Sequence, residues 1–273
     1  KTPVTMKLLE LSFLFICLFS VSAEENLRLP DTRTLALGGN GVTLSSFSNP
    51  ALVQLSTDKV IHLEYFNRYA LKELGSINGS FQYPNAYLST GIHLASFGYE
   101  RYRQNMARIF LGKQLNTRWI MGVSFQYTWI QSELYEEIPA RLSTDIGIVY
   151  IPFDKLLIGC VARDLPSVRI SAKDLNLKEL RTYAVQIGFN WEVLNNLLIT
   201  SFAGVDEKHR IQGGFGMEYE VWNCFQLRAG LQADPFLPSL GVGFSLHRWQ
   251  LDAVALWHPV LGVSSGVGLS YSF

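Results

Sequence analysis

Apolar and polar side chains alternate one by one through many segments of this chain, and this pattern restricts the possible folds more than any other feature. Successive side chains of a β-strand point to opposite faces, so each such segment predicts a strand with one apolar and one polar face. The alternation is clearest at the C-terminus, where one face carries Val263, Val267, Leu269, Tyr271 and Phe273. The same pattern runs through residues 119–129, 183–191, 211–221 and 225–232. The chain is therefore predicted to be all-β.

Three properties of these segments favour a transmembrane barrel over a secreted β-sandwich, whose strands also alternate. Their polar face is rich in glycine and serine, and only 17% of all residues are charged, against about 25% in soluble domains. The segments have roughly the 9–11 residues of a tilted strand that crosses a bilayer. Aromatic residues stand at the ends of the apolar face, where barrels carry girdles at the two membrane interfaces: Trp119 and Trp129, Tyr183 and Trp191, Trp249 and Trp257. We expect an integral outer-membrane protein of a Gram-negative-type cell.

The pattern predicts a transmembrane antiparallel β-barrel of about fourteen strands. These strands are expected near residues 59–69, 74–84, 86–97, 106–115, 118–129, 142–151, 155–164, 181–191, 197–206, 211–221, 223–232, 239–247, 248–258 and 262–273. The longest connections, 98–105, 130–141 and 165–180, all follow odd-numbered strands, and short turns follow several even-numbered ones. An even barrel with both ends in the periplasm has this parity, so the three long loops are predicted to face outward.

The N-terminal residues predict an export signal. Met6-Lys7 is followed by an apolar stretch from Leu11 to Phe19, and Val21-Ser22-Ala23 supplies the small residues of a cleavage site. We expect residues 1–23 to be a signal peptide, with residues 1–5 upstream of the initiator Met6. An uncleaved membrane anchor is the alternative, although the apolar core is short for one.

The last strand carries a second pattern. The C-terminal residues, with Gly268, Tyr271 and Phe273 at their spacing, resemble the signal that the barrel-assembly machinery reads in exported barrel proteins. This resemblance implies that machinery as a partner, together with outer-membrane lipid.

Residues 24–58 precede the first predicted strand and lack its alternation, whereas residues 59–273 form the predicted barrel. Gly38, Gly39 and Gly41 fall within four residues of one another, but a phosphate-binding loop would also need a lysine and a strand-to-helix context. The small, apolar character of the segment predicts instead a plug within the lumen. Its candidate ligand-binding or gating residues are these glycines and the motif Asn49-Pro50-Ala51.

The stretch from Leu35 to Leu44 and the motif Asn49-Pro50-Ala51 before the first strand resemble the FadL family of outer-membrane transporters and the related PorV/PorQ-type proteins. That resemblance implies a fourteen-stranded barrel with an N-terminal hatch. It also implies one of two functions: a channel for small hydrophobic molecules, or a non-transporting scaffold or carrier of an outer-membrane secretion system. The chain lacks the long outer loops of typical fatty-acid transporters. The expected partners are therefore a hydrophobic small molecule or secretion-system proteins.

Other function classes find little support in the sequence. The chain has 23 basic and 23 acidic side chains. Its net charge is therefore zero and gives no reason to expect nucleic acid as a partner. The five histidines lack metal-ligand spacing and no catalytic motif is present, so we expect no metal, no cofactor and no enzyme activity. Cys160 and Cys224 could pair in an oxidising compartment, but nothing in their spacing indicates a pair, so isolated thiols are favoured. Charged residues predicted to face inward could form a paired network or line a selective path: Glu64, Arg108, Asp145, Arg163, Glu218, Glu220, Arg228 and Asp252.

Overall fold

The computed structural model describes residue 27 and residues 30–133, 138–170, 183–207 and 209–273. The predicted signal peptide, residues 1–23, lies outside these residues. Within them, no helix is both long and apolar enough to cross a membrane.

Short helices precede the strands. They are α1 (Thr32–Ala36), α2 (Gly41–Leu44) and a 3-10 helix (Pro50–Leu55), and a further 3-10 turn (Lys72–Leu74) lies between the first two strands. The strands are β1 (Val60–Asn67), β2 (Gly75–Tyr83), β3 (Ser89–Tyr99), β4 (Tyr102–Gln114), β5 (Trp119–Ser132), β6 (Ala140–Phe153), β7 (Leu156–Arg163), β8 (Ser167–Arg169), β9 (Ala184–Leu194), β10 (Leu197–Asp206), β11 (Ile211–Trp222), β12 (Phe225–Gln232), β13 (Leu237–Leu246), β14 (Trp249–His258) and β15 (Gly262–Ser272).

Antiparallel pairing closes the strands into a barrel. Each strand pairs with its neighbours, β5 pairs with β6, and β1 pairs with β15 in a register that runs from Val60↔Ser272 to Asn67↔Ser265. Among the described residues, the three-residue strand β8 pairs only with the start of β6, beyond the end of β7. The other fourteen strands form the wall, and the predicted all-β, fourteen-stranded barrel is confirmed.

The two faces of the wall differ as the alternation predicts. Large apolar side chains point outward and stay exposed, for example Ile77 at 62% and Leu240 at 68%, while serine, glycine and charged residues point inward. Such a belt around a closed barrel belongs in lipid, because each of the fourteen wall strands is paired on both sides. The chain is an integral barrel of the outer-membrane type. The end of the barrel at which β1 begins and β15 finishes is called the terminal end. The opposite end is called the loop end.

One predicted loop is wrong. Residues 98–105 form a tight hairpin, because β3 continues to Tyr99 and β4 begins at Tyr102. Polar side chains pair across these strands: Ser96 Oγ donates to Asn105 Oδ1 at 3.0 Å, and Asn105 Nδ2 donates to Gln131 Oε1 at 3.2 Å. The predicted loops 130–141 and 165–180 are shortened by β5, β6 and β8, and they lie partly outside the described residues.

Candidate functional site

Residues 30–55, which we call the inner segment, lie inside the barrel. Ala36, Leu37, Val42, Ala51 and Val53 are fully buried, although helices this short could not bury side chains by themselves. They are buried against the inward face of the wall. Near the loop end, Leu35 and Ala36 pack with Phe66, Leu237, Val254 and Leu256, and near the terminal end Ala51 and Leu52 pack with Ile120 and Val149.

The first turn of the inner segment is set by local sequence. Asp31 caps α1 by accepting a hydrogen bond from the Thr34 backbone N–H at 2.9 Å, as a carboxylate at this position commonly does. The helix then ends because Gly38 and Gly39 have φ of +73° and +81°. Only glycine adopts such a conformation at low cost. The chain reverses here and continues along the wall.

The inner segment follows the wall over a row of inward-facing glycines. A methyl group at Gly216 of β11 would overlap the carbonyl of Leu37, and one at Gly122 of β5 would overlap the backbone of Ala51. A methyl group at further wall glycines would overlap backbone or side-chain atoms of the segment, in the order in which the segment passes them: Gly241, Gly230, Gly188, Gly159, Gly147 and Gly112. The glycine-rich polar face of the strands is thus the surface on which the inner segment lies.

Asn49-Pro50-Ala51 forms a corner within this path. Asn49 Nδ2 donates to the Val42 carbonyl at 2.7 Å, and its Oδ1 accepts from the Ala51 N–H at 3.1 Å. Pro50 starts the 3-10 helix, where its missing N–H is not needed. All three residues are buried and lie against Gly122 and Gly147 of the wall.

Asn40 anchors the middle of the inner segment, and sequence reasoning missed it. Its side-chain amide donates to Thr43 Oγ1 at 2.7 Å and to the carbonyls of Phe189 and Ser201 at 3.0 and 3.1 Å. It also bonds Thr200. Its wall partners are distant in the sequence, so no local pattern could have identified it.

Residues 45–48 cross the lumen to the wall formed by β1, β3 and β4. The Phe47 ring stacks on His93 with centroids 4.2 Å apart and meets His62 edge-on at 5.4 Å. Arg108 donates to the Phe47 carbonyl and pairs with Asp145 at 2.6 Å. The crossing is therefore held by both aromatic packing and a buried ion pair.

A chain of ion pairs joins the inner segment to the opposite wall. Arg33 donates to both carboxylate oxygens of Glu218, at 2.9 and 2.7 Å. Arg228 donates to the same Glu218 at 2.6 Å and pairs with Asp252 on β14. Together with Arg108–Asp145, these contacts favour the predicted paired network for the inward charges. Sequence reasoning missed Arg33, the inner segment's contribution to it.

A cavity of about 600 Å³ lies at the terminal end of the lumen, and we call it the vestibule. The inner segment forms one side of it through Thr43, Leu44, Ser46, Phe47 and Leu52. The wall contributes polar and charged side chains, namely His62, Gln82, Glu218, Glu220, Gln226, Arg228, Gln250, Asp252 and Ser270.

The predicted ligand-binding or gating residues do not line this cavity. Gly38, Gly39, Gly41, Asn49, Pro50 and Ala51 all lie where the inner segment turns or touches the wall. Their observed contacts position the segment. The inner segment lines the vestibule instead with residues outside these motifs, such as Arg33, which precedes the glycines, and Phe47, which lies between the glycines and Asn49.

The predicted assembly residues lie on both faces of β15. Gly268 faces inward beside Thr32 and His62, so it also makes room for the inner segment. Tyr271 and Phe273 face outward at the terminal end, where Tyr271 packs on Trp249 with centroids 4.6 Å apart. Recognition of these residues by the assembly machinery stays a prediction.

Two remaining features concern reactivity. Cys160 and Cys224 are exposed and unpaired, so isolated thiols are what the structure shows. Among the residues the structure describes, no cluster of three or more His, Cys, Asp or Glu side chains could hold a metal ion.

Comparison with known proteins finds similarity in structure. No protein-family model matches the sequence. No curated protein sequence is significantly similar to it. Among solved structures, the CymD monoaromatic hydrocarbon channel superposes with a TM-score of 0.65 at 12% identity, over 91% of this chain and 98% of its own.

Two further structures agree. The Pseudomonas putida toluene transporter TodX gives a TM-score of 0.61 at 11% identity, over 93% of this chain and 98% of its own. A Pseudomonas aeruginosa FadL homologue gives 0.56 at 11% identity, over 89% and 97%. The chain therefore has the FadL-type fold, which confirms that resemblance at the level of architecture.

Proposed function

We propose that this protein is an outer-membrane channel whose lumen is closed by its N-terminal segment, and that its cargo is a small, largely apolar molecule. The observation that carries the proposal is the inner segment. A barrel of eight strands is filled by its own side chains, and barrels of sixteen or more leave an aqueous pore. A barrel of fourteen strands has a lumen of intermediate width, and the inner segment occupies this lumen.

The nature of the cargo is inferred from the fold. Solved barrels with this architecture include a monoaromatic hydrocarbon channel and a toluene transporter. In this chain the inner segment also brings Leu44, Phe47 and Leu52 to the vestibule, so apolar surface is available where a cargo would meet it.

A scaffold of a secretion system is the second candidate, and the close docking of the inner segment favours it. Backbone that lies directly on wall glycines, together with the ion pairs of Arg33 and Arg108, would suit a barrel that stays permanently filled. A scaffold would need its outer surfaces and no route through the lumen.

Deletion of residues 35–44 separates the two candidates. The deletion removes the part of the inner segment that touches β9, β11, β12 and β13. Assembly is checked by heat-modifiable migration of the membrane band, and uptake is measured in cells with an apolar fluorescent dye and a polar dye of similar size. The full-length chain and an empty vector are the controls.

The channel proposal expects faster entry of the apolar dye in the assembled deletion variant, with a smaller change for the polar dye. Unchanged entry of both dyes in a fully assembled variant would reject the channel and support the scaffold. Equal acceleration of both dyes would support a pore without preference for apolar cargo.

A further inference from the structure

The vestibule has two chemically different sides. Leu44, Phe47 and Leu52 of the inner segment give it apolar surface. Strand β11 gives it the carboxylates of Glu218 and Glu220, and β14 gives it that of Asp252. A cavity of about 600 Å³ is within the size range of small-molecule sites. A molecule that fits both sides must be apolar at one end and polar at the other.

The charges on the polar side do not cancel. The lining includes four carboxylates, those just named and Asp31, against three basic side chains, the guanidiniums of Arg33 and Arg228 and the imidazole of His62. Arg33 donates two hydrogen bonds to Glu218, and Arg228 pairs with both Glu218 and Asp252. Glu220 has no ion pair to a basic side chain among the described residues. The cavity therefore favours a positive charge.

Glu220 lies beside a buried acceptor, the side-chain oxygen of Gln226. Glu220 and Gln226 face each other across the β11–β12 ladder. The side-chain oxygen of Gln226 is buried and accepts no hydrogen bond from any described residue. In the same lining, His62 is 8% exposed and its Nε2 makes no hydrogen bond, lying 3.6 Å from Glu64. Buried polar atoms normally have partners, so such atoms mark a place where a ligand could supply them.

We infer that the vestibule binds a small amphiphilic organic cation, with its ammonium group between Glu220 and Gln226 and its apolar body against Phe47 and its neighbours. An ammonium group donates up to three hydrogen bonds and accepts none, which matches a carboxylate beside an orphaned amide oxygen. This inference rests on the proposed channel, because it names the chemical class of the cargo at the channel's terminal mouth.

Binding to the purified full-length chain tests the inference without depending on transport. Isothermal titration in a nonionic detergent compares 2-phenylethylammonium with 2-phenylethanol and phenylacetate, which share a ring and differ in charge. Each probe is also titrated into detergent alone, and that signal is subtracted. The ammonium probe is expected to bind about tenfold more tightly than the alcohol, and phenylacetate more weakly than both, because the lining is net negative.

Two variants assign the preference to the site. Glu220→Gln should weaken binding of the ammonium probe about fivefold, the size of one partly exposed ion pair, and leave the alcohol unchanged. Asp154→Asn is the matched control, because Asp154 is an exposed carboxylate in the β6–β7 turn at the same end and outside the lining.

Equal affinity for the three probes, no binding of any probe, or the same effect from both variants would overturn the inference. The channel proposal fails separately. If the apolar dye enters the deletion variant faster but the titration shows no preference for the ammonium probe, the channel proposal stands and this inference fails. If the ammonium probe binds as expected but dye entry does not change, the binding site stands and the channel proposal fails.

Discussion

At the scale of single residues, the lumen is shaped by positions without side chains. Gly216 shows why, since its Cα faces the backbone of Leu37 and not a flexible side chain. A backbone contact cannot be relieved by a change of rotamer. Either the wall or the inner segment must move if a side chain is added.

Gly216→Ala is therefore expected to lower the free energy of unfolding by about 1–3 kcal/mol, the usual cost of overpacking a filled interior. The measurement is the urea midpoint of the heat-modifiable form. Gly79→Ala is the control, because a methyl group there would meet only the Leu63 side chain at an ordinary 3.4 Å. Equal midpoints for the two variants would show that the inner segment is not held against the wall at Gly216.

The sequence reveals local contacts better than distant ones. Asn49 could be recognised because its oxygen bonds the N–H of Ala51, only two positions away. Asn40 could not, because its partners on β9 and β10 follow it by about 150 residues or more. Phe47 also carries no signal of its own, since His62 and His93 meet it only after the barrel has closed.

At the scale of elements, the last strand closes the barrel. Tyr271 pairs with Ile61 of β1 and packs on Trp249 of β14, and the Phe273 N–H donates to the Lys59 carbonyl at 2.9 Å. Loss of these contacts would leave β1 and β15 as free edges in lipid, where unpaired backbone groups are costly.

Changing Tyr271 and Phe273 together to alanine is expected to leave most of the protein unassembled and degraded. The measurement is the amount of heat-modifiable protein in the membrane fraction. Val263→Ala serves as the control, because Val263 faces outward on the same strand at the loop end. Wild-type levels in the double variant would contradict both the closing role and the assembly signal.

The strands themselves were largely predictable, and the irregular alternation of three of them has a physical explanation. Strands near 106–115, 155–164 and 197–206 are confirmed although their alternation is poor. Their inward faces carry apolar residues: Met106 and Phe110 on β4 and Val161 on β7 are buried in the lumen. An apolar residue on the inner face removes the alternation, so the signal fades where the lumen is filled.

At the scale of the whole molecule, the sequence predicts the barrel but only the general place of the inner segment. Charges along β11, β12 and β14 could be assigned to the lumen, whereas their connection to Arg33 depends on where the segment crosses. Arg33 is the link between the inner segment and this network. Its guanidinium is partly exposed, so its contribution is smaller than that of a fully buried pair.

Arg33→Gln is expected to loosen the inner segment while the barrel stays assembled. The lost ion pair with Glu218 should lower the free energy of local opening by roughly 1 kcal/mol, which corresponds to about fivefold faster hydrogen exchange in residues 32–44. Mass spectrometry of exchanged peptides measures this rate against that of the wall strands. Arg210→Gln is the matched control, because Arg210 pairs with Asp206 at 2.6 Å within the β10–β11 hairpin and its effect should stay there. Unchanged exchange in residues 32–44 would mean that docking on the wall glycines holds the segment without the ion pairs.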